Sequence, residues 1–305
     1  MLVAPLAWSH PGPGIVIDRK GQVFFVHPIR SCIMRVDASG QLTVYAKGEE
    51  GRKLSVPHHL LLDAQDNLYS IGDRDGVLWR IAPDGQTTQI YPPNGEPGIG
   101  FLGRGGDPFI RDAQGTIYGI NSQPDAFTQI LEIRSDGRID ILAGGNYGIA
   151  DGQGGQAEFA NLHVGCFALG SDGSLYVTDS LTWVRKISPS GAVSTLADSS
   201  GVKLKFKGAC GIAFDSTRNL YVADSVERCV YKVTPSGSLS KVASSGGRDG
   251  GDGTLSTVNF VEPVGVAVAP DGTLYVLDYI RDDPRVRKLS PDGHVTTIAD
   301  TSAKR

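Results

Sequence analysis

Histidine and carboxylate side chains that could bind a divalent cation or transfer protons recur along this chain, one or two periods apart in a repeat of roughly 45 to 58 residues. His58, Asp107 and Glu262 are candidate metal ligands, because imidazole suits zinc and carboxylate oxygens suit calcium. His58 and His163 are candidates for acid–base catalysis. Side chains this far apart in sequence form a site only if the fold brings them together.

Two sequence markers divide the chain into six units. One is a turn followed by an apolar–aromatic–apolar run, as in residues 171–179, and the other is a strand-like stretch ending in a tight turn, as in residues 184–191. The aromatics of the first marker are Phe24, Tyr69, Tyr118, Tyr176, Tyr221 and Tyr275, and the glycines closing the second are Gly40, Gly85, Gly137, Gly191, Gly237 and Gly293. A blade of four short strands cannot bury both faces of its sheet alone, so such a repeat is typical of a β-propeller.

The apolar residues occur in runs of four to six or alternate with period two, which favours strands over helices. Proline, aspartate and glycine in the intervening segments favour tight turns. The sequence therefore predicts an all-β, six-bladed β-propeller with four antiparallel strands per blade. We expect one domain over residues 1–305, with blades at approximately 10–48, 56–92, 106–143, 162–197, 208–243 and 262–299.

Composition narrows the class of binding partner and the cellular compartment that we expect. The formal net charge is −4 and no basic run is interleaved with aromatics, so we expect no nucleic-acid partner. No segment is long and apolar enough to span a membrane, and residues 1–8 make a poor signal peptide. The four cysteines lack metal-site or disulfide spacing and are expected to be small apolar fillers. These features favour a cytoplasmic monomer.

The Leu-Tyr-Val-x-Asp runs followed by Val-Arg-Lys-Ile-x-Pro, as in residues 175–189, resemble NHL-repeat propellers. The connecting segments 143–159 and 246–260 share the resemblance, which covers nearly the whole chain. It implies a six-bladed propeller but several functions, because that superfamily includes protein-binding scaffolds, peptide-amidating lyases, streptogramin lyases and calcium-dependent gluconolactonases.

In a propeller the first strand of each blade lines the central channel, and the entrances to these strands open on one face. Aligning the units on their aromatics places His58 and Asp107 in one register, with His163 and Glu262 slightly before it and His10 nearby. We expect these side chains to ring one mouth of the channel. They form either a metal or catalytic site or a polar rim bonded to backbone and water.

The resemblance implies which metal ligands these strand entrances carry. Pro57-His58 looks like the Pro-His entrances through which amidating lyases hold zinc, and in the gluconolactonase-like group the same column carries calcium ligands. The resemblance therefore implies one divalent cation, calcium or zinc, held by His58, Asp107 and Glu262.

Several neighbouring residues carry narrower expectations. His58 should face the axis and His59 a neighbouring blade, because adjacent strand residues point to opposite faces. Arg104, shortly before Asp107, could hold an anionic substrate or a developing oxyanion, or could simply be solvated. The Gly- and Asp-rich connections 144–155 and 246–253 are expected to be flexible loops on the mouth face. Aspartates that end second strands, Asp179, Asp224 and Asp278, are expected to cap the turn into the third strand.

No nucleophile motif is visible in the sequence. We therefore expect a metal-assisted hydrolase of small esters, lactones or phosphotriesters, in which a cation polarises the substrate and His163 or His59 is the base. The alternative is a non-catalytic NHL-type module that binds a peptide or protein. A third possibility is a lyase of the amidating or streptogramin type.

Overall fold

A computed structural model describes residues 13–47, 57–72, 76–92, 107–121, 128–163, 165–243 and 251–302. Within these ranges, six sheets follow one another along the chain, and each contains four antiparallel strands in sequence order. Helix is confined to short 3-10 turns such as Gly154–Gln156. None of the helices in these ranges is long and apolar enough to cross a bilayer. The predicted six-bladed, all-β propeller is confirmed.

The blades are regular four-stranded meanders. Blade 1 contains β1 (Ile15–Ile17), β2 (Val23–His27), β3 (Cys32–Val36) and β4 (Leu42–Lys47). Blade 2 contains β5 (Leu61–Leu62), β6 (Leu68–Ile71), β7 (Leu78–Ile81) and β8 (Thr87–Tyr91). Blade 3 contains β9 (Phe109–Arg111), β10 (Ile117–Ile120), β11 (Gln129–Ile133) and β12 (Ile139–Gly144).

The second half of the ring adds short outer strands to this pattern. Between blades 3 and 4 lie β13 (Asn146–Tyr147), β14 (Gly152–Gln153) and β15 (Glu158–Phe159). Blade 4 contains β16 (Phe167–Leu169), β17 (Leu175–Asp179), β18 (Trp183–Ile187) and β19 (Ala192–Thr195). Blade 5 contains β20 (Ala209–Phe214), β21 (Leu220–Asp224), β22 (Cys229–Val233) and β23 (Leu239–Ala243), followed by β24 (Gly253–Thr254). Blade 6 contains β25 (Pro263–Val268), β26 (Leu274–Ile280), β27 (Asp283–Leu289) and β28 (His294–Asp300).

The connection before blade 4 is not the flexible loop expected from its composition. β14 pairs antiparallel with β19 as a fifth strand of blade 4, and β13 pairs parallel with β15. The described end of the connection before blade 6 does the same, because β24 pairs with β28. In these segments, glycine and aspartate therefore form tight turns between short paired strands.

The hydrophobic core lies between the blades. In the described part of the chain, buried apolar side chains form six clusters, and each cluster spans one interface between neighbouring blades. The ring closes where blade 6 packs against blade 1, with Leu277 and Tyr279 against Val23 and Phe25. The hydroxyl of Tyr279 donates to the carbonyl of Val26 at 3.5 Å. The described strands show no exchange between the ends of the chain, and residues 1–12 lie outside the described ranges.

The interface cores predict how the repeat aromatics respond to truncation. Tyr221 is 8% exposed in the core between blades 5 and 6, so Tyr221→Ala should lower the free energy of unfolding by about 3 to 5 kcal/mol through cavity formation. Tyr147 is 80% exposed, and Tyr147→Ala should change the free energy of unfolding by less than about 0.5 kcal/mol. Urea titrations followed by far-UV circular dichroism measure both, and equal effects would contradict the blade packing.

Candidate functional site

The first strands of neighbouring blades approach one another closely around the axis. The N–H of Gly14 donates to the carbonyl of His58 at 2.9 Å, and a Cβ added at Gly211 would lie 2.6 Å from the Cα of Gly265. First-strand residues of blades 1, 2, 4, 5 and 6 line a cavity of about 280 Å³. Backbone contact at this distance fixes each strand entrance relative to its neighbours.

The structure brings Asp107 and His163 together at these entrances. Asp107 precedes blade 3 and is 2% exposed, whereas His163 precedes blade 4 with its side chain 33% exposed. Nδ1 of His163 is hydrogen-bonded to Oδ1 of Asp107. A carboxylate can only accept, so Nδ1 is the donor, and in the neutral ring Nε2 is then the acceptor nitrogen. The pair has the arrangement of an orienting carboxylate and a histidine base.

The backbone hydrogen bonds of blades 4 and 6 correct the register expected at the mouth. Ser180 N–H donates to the carbonyl of Asn161 at 2.8 Å, and Tyr279 N–H donates to the carbonyl of Glu262 at 3.0 Å. Because Ser180 and Tyr279 each follow the equivalent aspartate of a second strand, Asp179 or Asp278, Asn161 is the structural equivalent of Glu262. Alignment on the aromatics made His163 the equivalent of Glu262. The hydrogen bonds show that it is not.

Blade 4 contains two residues more than blade 6 at this point. Phe167 pairs with Val177 as Val266 pairs with Val276, so the two first strands are in the same register beyond the entrance. The chain takes six positions from residue 161 to residue 167 but four from residue 262 to residue 266.

The extra residues in blade 4 form the turn that carries His163. The N–H of Gly165 donates to the carbonyl of Leu162 at 2.9 Å and closes this turn. The turn lies beside the neighbouring blade 3, where Asp107 is found. The candidate base thus lies on a local departure from an otherwise regular repeat.

The second-strand aspartates of blades 4 and 6 hold the segments that enter these two blades. Oδ1 of Asp179 accepts the N–H groups of residues 160 and 161 at 3.0 and 2.9 Å. Oδ1 of Asp278 accepts those of residues 261 and 262 at 2.9 and 2.8 Å. The expected cap of the turn into the third strand is seen for Asp224, which accepts the N–H of Glu227 at 2.8 Å. For Asp179 and Asp278, that expectation was wrong about which segment the carboxylate binds.

Buried arginines pair with the same carboxylates. Arg185 contacts Oδ2 of Asp179 at 3.0 Å, and neither side chain is exposed. Arg285 contacts Oδ2 of Asp278 at 2.7 Å, and Arg287 lies 3.6 Å from the same oxygen. Removing one partner of a buried pair leaves an uncompensated charge and typically costs about 3 to 5 kcal/mol, so these pairs resist rearrangement.

Glu262 is a half-buried carboxyl at the entrance to blade 6. Burial raises its pKa above the ordinary value, and the carboxylates of Asp278 and Asp282 raise it further. Its backbone is held by Asp278, as described above. Glu262 therefore stays protonated to a higher pH than an exposed glutamate.

The side chains of His58 and His59 take the reverse of their expected directions. His59 lines the channel cavity, whereas His58 is 1% exposed and does not line it. The two still differ in direction, so the alignment on the aromatics assigned the wrong one of them to the channel.

The metal-ligand set expected from the sequence is not assembled among the described side chains. In the described ranges, no group of three or more histidine, cysteine, aspartate or glutamate residues is placed to hold a metal ion. His58, Asp107 and Glu262 thus do not fit one cation together, and Asp107 is engaged by His163. His10 and Arg104 lie outside the described residues.

The cysteines behave as buried thiols. All four are free, and burial raises the pKa of Cys166 and Cys210 to about 11. Thiols with such values remain protonated at neutral pH and are poor nucleophiles. This agrees with the expectation that they fill space.

Solved structures provide the comparison with known proteins, since no family model matches this sequence. A catalytically inactive histidine-to-alanine variant of virginiamycin B lyase from Staphylococcus aureus, with quinupristin, is 18% identical, with a TM-score of 0.55 over 96% of this chain and 85% of that chain. Regucalcin from Agrobacterium tumefaciens, a calcium-binding protein, is 14% identical, with a TM-score of 0.56 over 95% and 90%. A nidogen/laminin complex structure matches at 14% identity, with a TM-score of 0.60 over 90% and 92%. These proteins share the propeller fold with this chain. At such identities the likeness shows the fold alone and assigns no activity.

Asn161 is the residue near the site that sequence reasoning missed. Its side chain accepts a hydrogen bond from the N–H of His163 at 3.0 Å. The available signal was the Asn-x-His spacing, because asparagine often binds the backbone two residues on in a turn.

The close packing of first strands predicts the effect of a single methyl group. A Cβ at Gly265 would clash with the carbonyl of Pro13 in blade 1, so Gly265→Ala should destabilise the protein by about 1 to 3 kcal/mol. No atom lies within 4 Å of a Cβ added at Gly155, which makes Gly155→Ala the matched control with little effect. Thermal unfolding compares the two variants, and a Gly265→Ala protein as stable as the control would show that the entrances are not fixed as described.

Proposed function

We propose that this chain is a hydrolase of small esters or lactones that uses His163, oriented by Asp107, as a general base at the channel mouth. The observation that carries the proposal is the Asp107–His163 pair, in which a buried carboxylate binds the Nδ1 side of a partly exposed imidazole. General bases of this kind act near neutral pH because imidazole titrates there.

The pair performs two proton transfers. Nε2 of His163 takes a proton from a water molecule as its oxygen bonds to the substrate carbonyl carbon, and the Asp107 carboxylate stabilises the imidazolium that forms. The imidazolium then returns the proton to the leaving oxygen as the carbon–oxygen bond breaks. The products are a carboxylic acid and an alcohol, which remain in one molecule if the substrate is a lactone.

Glu262 supplies a second proton-bearing group to the same face of the ring. Burial and the carboxylates of Asp278 and Asp282 raise its pKa, so it releases its proton at a higher pH than an exposed glutamate does. No step is assigned to a calcium or zinc ion, because the described donors do not form a ligand group.

A lyase is the second candidate, since the same base could remove a proton from carbon instead of water. The inactive histidine-to-alanine variant of virginiamycin B lyase supports histidine chemistry on a propeller of this kind. A binding module for a protein partner is the third candidate, because a nidogen/laminin complex structure has a similar fold. The test below includes it as an outcome.

Substitution of the pair should abolish most of the activity without unfolding the protein. His163→Ala and Asp107→Asn should each lower kcat/KM for p-nitrophenyl acetate or a δ-lactone by about a hundredfold or more, the scale of losing acid–base catalysis. Both variants should remain folded, because neither residue belongs to the hydrophobic clusters between the blades, and circular dichroism checks this. His294→Ala is the control: His294 is exposed at the start of a fourth strand, on the opposite face, and this variant should retain full activity.

Product analysis separates the candidates. In ¹⁸O-labelled water, a hydrolase incorporates label into the carboxylate product, whereas a lyase yields an unsaturated product without label. Absence of turnover on esters, lactones and phosphotriesters would favour the binding module. Full activity in His163→Ala would rule out His163 as the general base.

A further inference from the structure

Asn161, at the entrance to blade 4, makes three hydrogen bonds, two to the second strand and its following residue and one to the turn that carries His163. Its N–H donates to Oδ1 of Asp179 at 2.9 Å, and its carbonyl accepts the N–H of Ser180 at 2.8 Å. Its side-chain Oδ1 accepts the N–H of His163 at 3.0 Å. The backbone of Asn161 is therefore fixed to blade 4, and its side chain extends that support into the turn that carries His163.

The support behind Asn161 is rigid. Asp179 is unexposed and pairs with the unexposed Arg185. Arg185 also donates to the carbonyls of Ala150 and Glu158, at 3.0 and 2.8 Å. A residue bonded to this network does not move without breaking buried charge-assisted hydrogen bonds, which are roughly twice as strong as neutral ones.

The equivalent positions in the next two blades lack this arrangement. Gly208 of blade 5 and Glu262 of blade 6 accept the corresponding backbone N–H, from Ser225 and Tyr279. From residue 208 the chain takes four positions to Ile212, which pairs with Val222 as Phe167 does with Val177. The two extra residues in blade 4 thus coincide with an asparagine that can bind the N–H two positions on.

We propose that Asn161 is a positioning residue, whose side chain holds the turn so that His163 reaches Asp107. The proposal rests on the function proposed above for the Asp107–His163 pair. Asn161 itself does not contact the reacting atoms. It acts by restricting the orientation of the base, since misplacement of a catalytic group by about 1 Å can cost about a hundredfold in rate.

Two substitutions at Asn161 test this role. Asn161→Ala removes the acceptor and should lower kcat by about 10- to 100-fold with little change in KM. Asn161→Ser keeps an oxygen that can accept the same N–H and should recover most of the rate. Asn219→Ala is the matched control, because Asn219 also stabilises a turn through its side chain, bonded to Asp215 at 2.7 Å on the opposite face, and this variant should retain full activity.

A spectroscopic measurement makes the test independent of substrate. The Nδ1 proton of His163, held by Asp107, should give a downfield proton resonance that is assigned by its absence in His163→Ala. This resonance should weaken or shift upfield in Asn161→Ala and persist in Asn161→Ser and Asn219→Ala.

The outcomes separate the two proposals. If wild-type protein turns over no substrate but the resonance changes as expected, positioning by Asn161 stands and the proposed function fails. If Asn161→Ala keeps both the resonance and the rate of wild type, or if Asn161→Ser loses as much as Asn161→Ala, the positioning role is wrong.

Discussion

The buried pairs between second-strand aspartates and third-strand arginines are the constraint on which the mouth of this propeller depends. Asp179 and Arg185 hold the segment entering blade 4, and Asp278 with Arg285 and Arg287 holds the segment entering blade 6. Each carboxylate also accepts two backbone N–H groups, so its charge is compensated from both sides. The hydrophobic clusters between blades stabilise the ring, but these polar networks decide where the chain enters blades 4 and 6.

Function on such a scaffold requires a departure from the repeat. Blade 6 enters its first strand directly after the aspartate-bound segment, whereas blade 4 inserts two residues there and presents His163 to Asp107 of the neighbouring blade. The carboxylate comes from the entrance of blade 3 and the imidazole from that of blade 4, so the pair exists only where these two blades pack together. A site of this kind can change without disturbing the blades, because its support in blade 4 is the kind of aspartate–arginine network that also holds the entrance of blade 6.

The fold could be predicted because its signals are local. An aromatic residue in the second strand and a glycine after the third mark the strand and the turn within each unit, and six recurrences identify the propeller. The site could be predicted only in part, since it depends on contacts between blades. Asp107 and His163 were both candidates, but their pairing was not visible, because alignment on the aromatics passes over the two-residue insertion. His59 rather than His58 lines the channel cavity, because alignment on the aromatics does not determine the direction of side chains that precede the strand.

The most direct test of His163 as a general base oriented by Asp107 is a crystal structure of the protein with a cyclic phosphonate. This compound is an analogue of the tetrahedral intermediate of lactone hydrolysis. The account predicts a phosphonate oxygen within about 2.6 to 3.2 Å of Nε2 of His163, with Nδ1 still bonded to Asp107. A phosphonate bound away from the channel mouth, or one bound at the mouth with the Asp107–His163 bond broken, would contradict it.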